Sequence, residues 1–137
     1  MSKKNIVISG SASLQKEMLN WVKFWEEKDA EVLAWPVKIE EVDFDVEWPK
    51  VHDIFYKAID KTDFLFVANA GKNGIEGYVG PNTFAEISFA VGLNFIRKRK
   101  IRVILQNMPM DESSYGEVLR LWIKNGWMEI FDEKSGL

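Results

Sequence analysis

The chain has 137 residues and a formal net charge of −3, which fits one compact domain and argues against a dedicated nucleic-acid binder. It has no cysteine, so disulfides, thiolate nucleophiles and thiolate metal sites are excluded together. Hydrophobic residues make up 47% of it, enough for a sizeable core, and no apolar run approaches the ~18 residues of a membrane span. We therefore expect a single domain over residues 1–137 that is cytoplasmic and does not contact a membrane.

Short apolar runs alternate along the chain with segments of helical periodicity. The predicted order is strand 5–9, helix 13–28, strand 31–35, helix 50–62, strand 64–69, helix 81–95, strand 101–106, helix 115–125 and strand 127–131. An acidic connection over 36–49 is expected to cross the surface. Strands alternating with helices predict an α/β fold, a doubly wound and mostly parallel five-stranded sheet of the Rossmann or flavodoxin-like type, with strand order 2-1-3-4-5.

This topology locates a binding site before any motif is considered. Open parallel sheets bind ligands beyond the carboxyl ends of their strands, near the switch point between the first and third strands. The residues that the predicted strands deliver to this edge are Ser9, Gly10, Ser11, Trp35, Pro36, Asn69, Gln106 and Asn107. Asp63 precedes the third strand, so we expect it at the opposite edge and outside the site.

Two segments at the carboxyl edge have compositions that suit a ligand. In "SGSAS" (9–13), small side chains at a helix start suit a phosphate, but an ordinary loop with Ser11 or Ser13 as helix cap explains it equally well. The segment "ANAGKNGIEGYVG" (68–80) holds four of the nine glycines, which fits a mobile flap or a surface loop with turns. Tyr78 is the residue there best able to contact a ligand, by stacking or through its hydroxyl.

Glu86 is the one ionisable side chain in helix 81–95, which is apolar on nearly every face. Whether the helix starts after Gly80 or is capped by Asn82, Glu86 falls in its first two turns and shares a face with Thr83. Carboxylates are rarely buried without a partner. Two interpretations follow: a nucleophile or general base, or a structural carboxylate that is bonded to backbone N–H groups or stabilised by the helix dipole.

Three segments, "NIVISGSAS", "TDFLFVAN" and "GYVGPNTFAEISFAVGLNFIRKRKIRVIL", resemble the nucleoside 2-deoxyribosyltransferase superfamily, which includes the 2′-deoxynucleoside 5′-phosphate N-hydrolases. The resemblance runs in order and spacing through roughly residues 4–107. It implies that Glu86 attacks C1′ of a deoxyribose and expels the base, forming a glycosyl-enzyme that a second base or water releases. It also implies that Gly10 and Ser11 hold the 5′ end of the sugar, or its phosphate.

The chain departs from the family at two acidic positions. Active members place an Asp on the helix before the third strand, where this chain has Phe55, and Asp53 nearby is on a different helix face. Many transferases have a second Asp six residues before the nucleophile, where this chain has Gly80. These acids help to orient the sugar and protonate the base, so Asn69, Tyr78 or a water is expected to assist departure of the base.

We therefore expect cleavage or transfer at the N-glycosidic bond of a (deoxy)nucleoside or nucleoside 5′-monophosphate, with Glu86 catalytic. The expected substrate-binding residues are Ser9, Gly10, Ser11, Asn69, Tyr78, Gly80, Asn82 and Thr83. The alternatives are a nucleotide-binding module with weak or no turnover and an FMN carrier, whereas the leading hypothesis needs no cofactor and no metal. Six tryptophans and the apolar stretch 117–131 predict a homodimer or a higher homo-oligomer.

Overall fold

The structure, a computed structural model, describes residues 3–134, so the first two and the last three residues of the predicted domain lie outside the described residues. The elements are β1 (Lys4–Gly10), α1 (Gln15–Glu27), β2 (Ala30–Ala34), a 3₁₀ turn (Glu41–Asp43), α2 (Phe44–Lys61), β3 (Phe64–Ala68), α3 (Pro81–Ile96), β4 (Arg102–Leu105), α4 (Ser114–Lys124) and β5 (Glu129–Ile130). The five strands pair in parallel in the order β2-β1-β3-β4-β5, which confirms the predicted fold class and strand order.

The sheet separates two hydrophobic cores because successive side chains of a strand point to opposite faces. On one face α2, α3 and α4 pack over Val7, Leu65, Val67, Val103 and Leu105. On the other face α1 packs over Ile6, Ile8, Phe64, Phe66 and Ile104. In a parallel sheet the helices return to the amino ends and start again at the carboxyl ends, so α1 and α3 begin at the same edge from opposite faces.

Helix α2 is longer than predicted. It begins at Phe44, so the predicted surface connection over 36–49 is wrong in its second half. A helix start next to Pro49 is the usual arrangement, but here the proline lies inside the helix, where it removes one backbone hydrogen bond close to the helix start. Asp45 and Glu47 lie in the first turn, where negative charge suits the helix dipole. The added residues bring the start of α2 to the carboxyl edge of the sheet.

The amino edge of the sheet is closed by hydrogen bonds between its own residues. The backbone N–H of Asn5 donates to Asp63 Oδ2 at 2.8 Å, and Thr62 Oγ1 donates to the carbonyl of Asn5 at 3.0 Å. Arg99 donates to the carbonyl of Thr62 at 3.1 Å and forms an ion pair with Asp60 at 3.2 Å. Asp63 therefore lies at the edge opposite the expected site, as predicted.

None of the helices within residues 3–134 combines the length and the apolar character needed to cross a bilayer. The expected cytoplasmic location stays a prediction.

Candidate active site

A cavity of about 610 Å³ opens at the carboxyl edge of the sheet, where β1 and β3 end. Its walls come from the turn after β1, the segment after β2, helix α2, the loop after β3 and the start of α3. The predicted site residues that line it are Gly10, Ser11, Asn69, Tyr78, Gly80, Asn82, Thr83 and Glu86. Ser9 is the exception, since it is fully buried behind the wall. Pro36 also lines the cavity, whereas Trp35, Gln106 and Asn107 are not among its lining residues.

Glu86 lies in the second turn of α3, which begins at Pro81 with Gly80 as its cap, the first of the two expected starts. The hydroxyl of Ser9 donates to Glu86 Oε1 at 2.9 Å. Across the described part of the chain, this is the single hydrogen bond of the Glu86 carboxyl, and no backbone N–H donates to it. The form of the structural interpretation in which backbone N–H groups hold the carboxylate therefore finds no contact that supports it, and stabilisation by the helix dipole stays open.

The protonation of Glu86 is set by its enclosure. Burial raises the pKa of Glu86 to about 7, and the hydrogen bond from Ser9 opposes this rise only in part. A carboxyl group with such a pKa changes its protonation state near neutral pH and has a poorly solvated anion. Both properties are typical of catalytic carboxyl groups.

The turn after β1 gathers hydroxyls and a cation at one end of the cavity. Ser11 Oγ and Ser13 Oγ lie 2.8 Å apart, and Lys72 Nζ donates to Ser11 Oγ at 2.8 Å. Neither serine caps α1, because the cap residue is Leu14 and no side chain bonds to the first turn. Lys72 forms no ion pair with any residue of the described range. The end of the cavity formed by Ser11, Ser13 and Lys72, here called the anion end, thus has donors without an anionic partner.

Hydrogen bonds of Asn69 join the loop after β3 to the loop after β4. The Asn69 amide donates to the carbonyls of Gly77 at 3.1 Å and Asn107 at 2.8 Å, and its oxygen accepts from the Asn107 N–H at 2.9 Å. Gly77 has a φ of 67°, and a Cβ there would lie 2.2 Å from the Met108 carbonyl oxygen. A glycine at position 77 therefore permits the backbone to pack closely against the loop after β4. Asn69 lines the cavity, but its amide is occupied by these bonds.

Helix α2 supplies a wall that the sequence prediction missed. Its aromatic side chains recur at four-residue spacing and form what we call the aromatic ladder: Phe44, Trp48, His52 and Tyr56. The last three rings stack, whereas the Phe44 ring lies tilted to Trp48 at a centroid distance of 6.4 Å. The first three of these line the cavity, together with Val51 and Phe55. The four-residue spacing of rings was visible in the sequence, but the expected start of the helix at residue 50 cut the pattern in half.

The ionisable side chains around the cavity are few. Lys38, Lys72, His52 and Tyr78 line it together with Glu86, which is the one carboxylic acid among its lining residues. Asp53 is exposed and forms an ion pair with Lys57 at 2.8 Å. Among residues 3–134, no group of three or more His, Cys, Asp or Glu side chains is placed to hold a metal ion.

Neither the family models nor the curated proteins with which the sequence was compared match it. The resemblance to the deoxyribosyltransferase superfamily therefore rests on the three sequence segments.

Proposed function

We propose that the protein cleaves, or transfers a sugar at, the N-glycosidic bond of a nucleoside 5′-monophosphate or (deoxy)nucleoside, with Glu86 as nucleophile. The observation that supports this most directly is the environment of Glu86. It is the one acid lining a cavity at the switch point of the sheet, with a raised pKa of about 7 and Ser9 as its hydrogen-bond partner.

The proposed chemistry uses the poor solvation of the Glu86 anion. As the bond from C1′ to the base nitrogen breaks, its electron pair leaves with the base and positive charge develops at C1′. A carboxylate held ~3 Å from C1′ stabilises that charge and then bonds to the carbon, giving a glycosyl ester. Water, or a second base, displaces the carboxylate. The reactive form is the anion, which is the majority form above about pH 7.

The anion end of the cavity supports a 5′-monophosphate over an uncharged nucleoside. Lys72 and the hydroxyls of Ser11 and Ser13 offer donors, and the first turn of α1 adds backbone N–H groups that lack a side-chain cap. Lys38 adds a second cation to the cavity wall. A phosphate would bind where Lys72 now contacts Ser11, because an ammonium group and hydroxyls are suitable phosphate ligands.

A nucleotide-binding module without turnover is the second candidate, and the two positions expected to hold acids favour it. Phe55 is buried and apolar, and Gly80 caps α3, so neither gives the departing base a proton. The Asn69 amide is already bonded within the protein. A cavity with a nucleophile and no acid would bind a nucleotide and turn it over slowly.

The test is incubation of the purified protein with a panel of deoxynucleosides, deoxynucleoside 5′-monophosphates and their ribose counterparts, followed by chromatography for free base. We expect release from the deoxynucleotides, because the absence of the electron-withdrawing 2′-hydroxyl favours positive charge at C1′. No release, combined with a rise in melting temperature on adding a monophosphate, would favour the binding module. Flavin absorbance in the purified protein would favour the FMN carrier instead.

We also propose that the protein forms a homodimer or a higher homo-oligomer. Ile96 is 82% exposed, and the rings of Phe95 and Trp127, both exposed, contact each other at a centroid distance of 4.8 Å. An exposed apolar patch of this kind suits a contact between subunits. Light scattering should give a mass well above the 15.9 kDa of one chain, and a monomer at micromolar concentration would refute this proposal.

A further inference from the structure

The proposed reaction needs a proton donor for the departing base, and the residues considered so far do not supply one. A base that departs with the electron pair of its glycosidic bond needs a proton or a strong hydrogen bond, and such a donor typically contributes ~10²–10⁴-fold to the rate. Glu86 is committed to C1′, and the Asn69 amide is bonded within the protein. A phenol is in general a weak proton donor at neutral pH. Imidazole is the side chain best suited to exchange a proton there.

His52 lies on the cavity-facing side of α2. It is three residues before Phe55, the position at which the resemblance implies an acid, so the two side chains share a helix face. Both line the cavity. His52 thus opens onto the same cavity as Phe55, one helical turn away.

The two faces of the His52 imidazole contact neighbouring aromatic rings, whereas its ring nitrogens have no hydrogen-bond partner among the described residues. Its ring stacks on Trp48 at a centroid distance of 4.8 Å and on Tyr56 at 4.4 Å. Stacking on both sides limits rotation of the ring, while its two nitrogens lie in the ring plane. In the described portion of the chain neither nitrogen has a hydrogen-bond partner, although His52 is half-buried. A cavity-lining imidazole with a restrained ring and unused nitrogens is arranged to bond to a ligand.

His52 on α2 and Glu86 on α3 lie at matching turns of two neighbouring helices. The Tyr56 ring stacks on Phe89 of α3 at 4.8 Å, and Phe89 is one turn beyond Glu86. Burial, and then the negative charge of Glu86, raise the pKa of the Tyr56 hydroxyl, so this hydroxyl lies within electrostatic reach of the carboxylate. His52 is one turn before Tyr56. The two groups therefore enter the cavity from facing helices.

We propose that His52 is the proton donor to the departing base, which deepens the proposed function and rests on it. As Glu86 bonds to C1′, the electron pair of the C1′–N bond moves to the base and the imidazolium transfers its N–H proton to the base, leaving neutral imidazole. The water that next attacks C1′ displaces the Glu86 carboxylate and gives its proton to the imidazole. One water is consumed, and both side chains return to their starting forms.

The experiment compares wild type with His52→Gln on two substrates. The first is deoxyguanosine 5′-monophosphate, whose base needs a proton as it leaves. The second is its N7-methylated form, whose base already carries a positive charge and leaves as a neutral molecule. We expect the variant to lose ~10²–10⁴-fold in base release from the first substrate. Release from the second, corrected for spontaneous loss, should stay within about threefold of wild type because no proton is required.

Three further variants make the comparison specific. His52→Phe keeps the stacking between Trp48 and Tyr56 and has no proton, so it should match His52→Gln. Asp53→Asn, next to it on the exposed face of α2, should behave as wild type. Glu86→Gln should lose activity on both substrates. Melting curves of all variants identify any that fail to fold.

Each outcome decides the proposal. His52→Phe with wild-type release of the unmodified base would overturn it, as would equal losses on both substrates, which indicate a binding role. Wild-type protein that releases only the methylated base would also overturn the proton donor while supporting the nucleophile. Wild-type protein that releases neither of these bases would overturn this inference, and release of no base from any member of the nucleotide panel would overturn the proposed function as well.

Discussion

The two edges of the sheet use polar residues in opposite ways. At the amino edge, Asp63 and Thr62 bond to the backbone of Asn5, and Arg99 joins the same region to Asp60. At the carboxyl edge, Glu86 has one partner and a raised pKa, and Lys72 contacts the hydroxyl of Ser11 in place of an anion. Paired polar groups stabilise a fold, whereas buried polar groups with unused bonding capacity cost stability. The contrast supports the proposal that the carboxyl edge binds a ligand.

The largest effect that this contrast predicts is on turnover. Glu86→Gln keeps the shape and hydrogen-bonding capacity of the side chain but removes the nucleophilic anion, so base release should fall by ~10²–10⁴-fold or more. The measurement is chromatography of free base after incubation with a deoxynucleotide. Glu117→Gln, at an exposed position in the first turn of α4, is the matched control and should keep full activity. Full turnover in the Glu86→Gln variant would refute the proposed role of Glu86 as nucleophile.

A second effect concerns the anion end. Ser11→Glu places a carboxylate beside the expected phosphate, and two like charges ~4 Å apart repel by about 4 kcal/mol at a protein surface. Affinity for a nucleoside 5′-monophosphate should therefore fall by at least ~10²-fold, with folding nearly unchanged because Ser11 is only half-buried and the next two residues of the turn are exposed. Calorimetry measures the affinity. Ser88→Glu, on the exposed side of α3, supplies the control. Unchanged affinity in a folded Ser11→Glu variant would make an uncharged nucleoside the better substrate.

The third effect is a pH-dependent gain in stability. The pKa of Glu86 is about 7 in the folded protein against an ordinary value of 4.5. The folded state therefore retains a proton that the unfolded state loses, so stability falls as the pH rises from 4.5 through about 7. The Glu86→Gln variant does not lose stability in this way, because its amide does not titrate. Its free energy of unfolding should match wild type near pH 4 and exceed it by about 1–3 kcal/mol at pH 8.

Urea unfolding of both proteins at the two pH values measures this difference. The Glu117→Gln control should differ from wild type by the same small free energy of unfolding at both pH values, because that carboxyl is exposed. A variant that is less stable than wild type at pH 8 would instead identify Glu86 as a structural partner of the helix dipole.

The smallest expected effect is a loss of stability from a substitution at the amino edge of the sheet. Asp63→Ala removes the acceptor of the Asn5 N–H, so the free energy of unfolding should fall by about 0.5–1.5 kcal/mol. Base release should not change, because the residue lies at the far end of the strands. Asp53→Ala, which breaks only an exposed ion pair with Lys57, should cost less, about 0.5 kcal/mol. A loss of activity in Asp63→Ala at full stability would contradict the division between the edges.

Periodicity and topology were sufficient for the scaffold and part of the site. Alternating strands and helices predicted the parallel sheet and its order, and the carboxyl-edge rule placed Ser11, Asn69 and Glu86 around one cavity. This succeeded because a parallel sheet gathers the ends of its strands whatever the details of packing. Glu86 stood out for a related reason, since one charge in an otherwise apolar helix is visible in the sequence.

The tertiary structure decided the rest. Helix α2 runs through Pro49, and the aromatic ladder along it forms a cavity wall, although a proline usually predicts a helix start. Asn69 proved to be occupied by the loop after β4, and Lys72 reaches a serine 61 positions away. The pKa of Glu86 depends on enclosure and on Ser9, 77 positions earlier. Local patterns determine which residues reach an edge of the sheet, but desolvation and side-chain pairing arise between segments that only folding brings together.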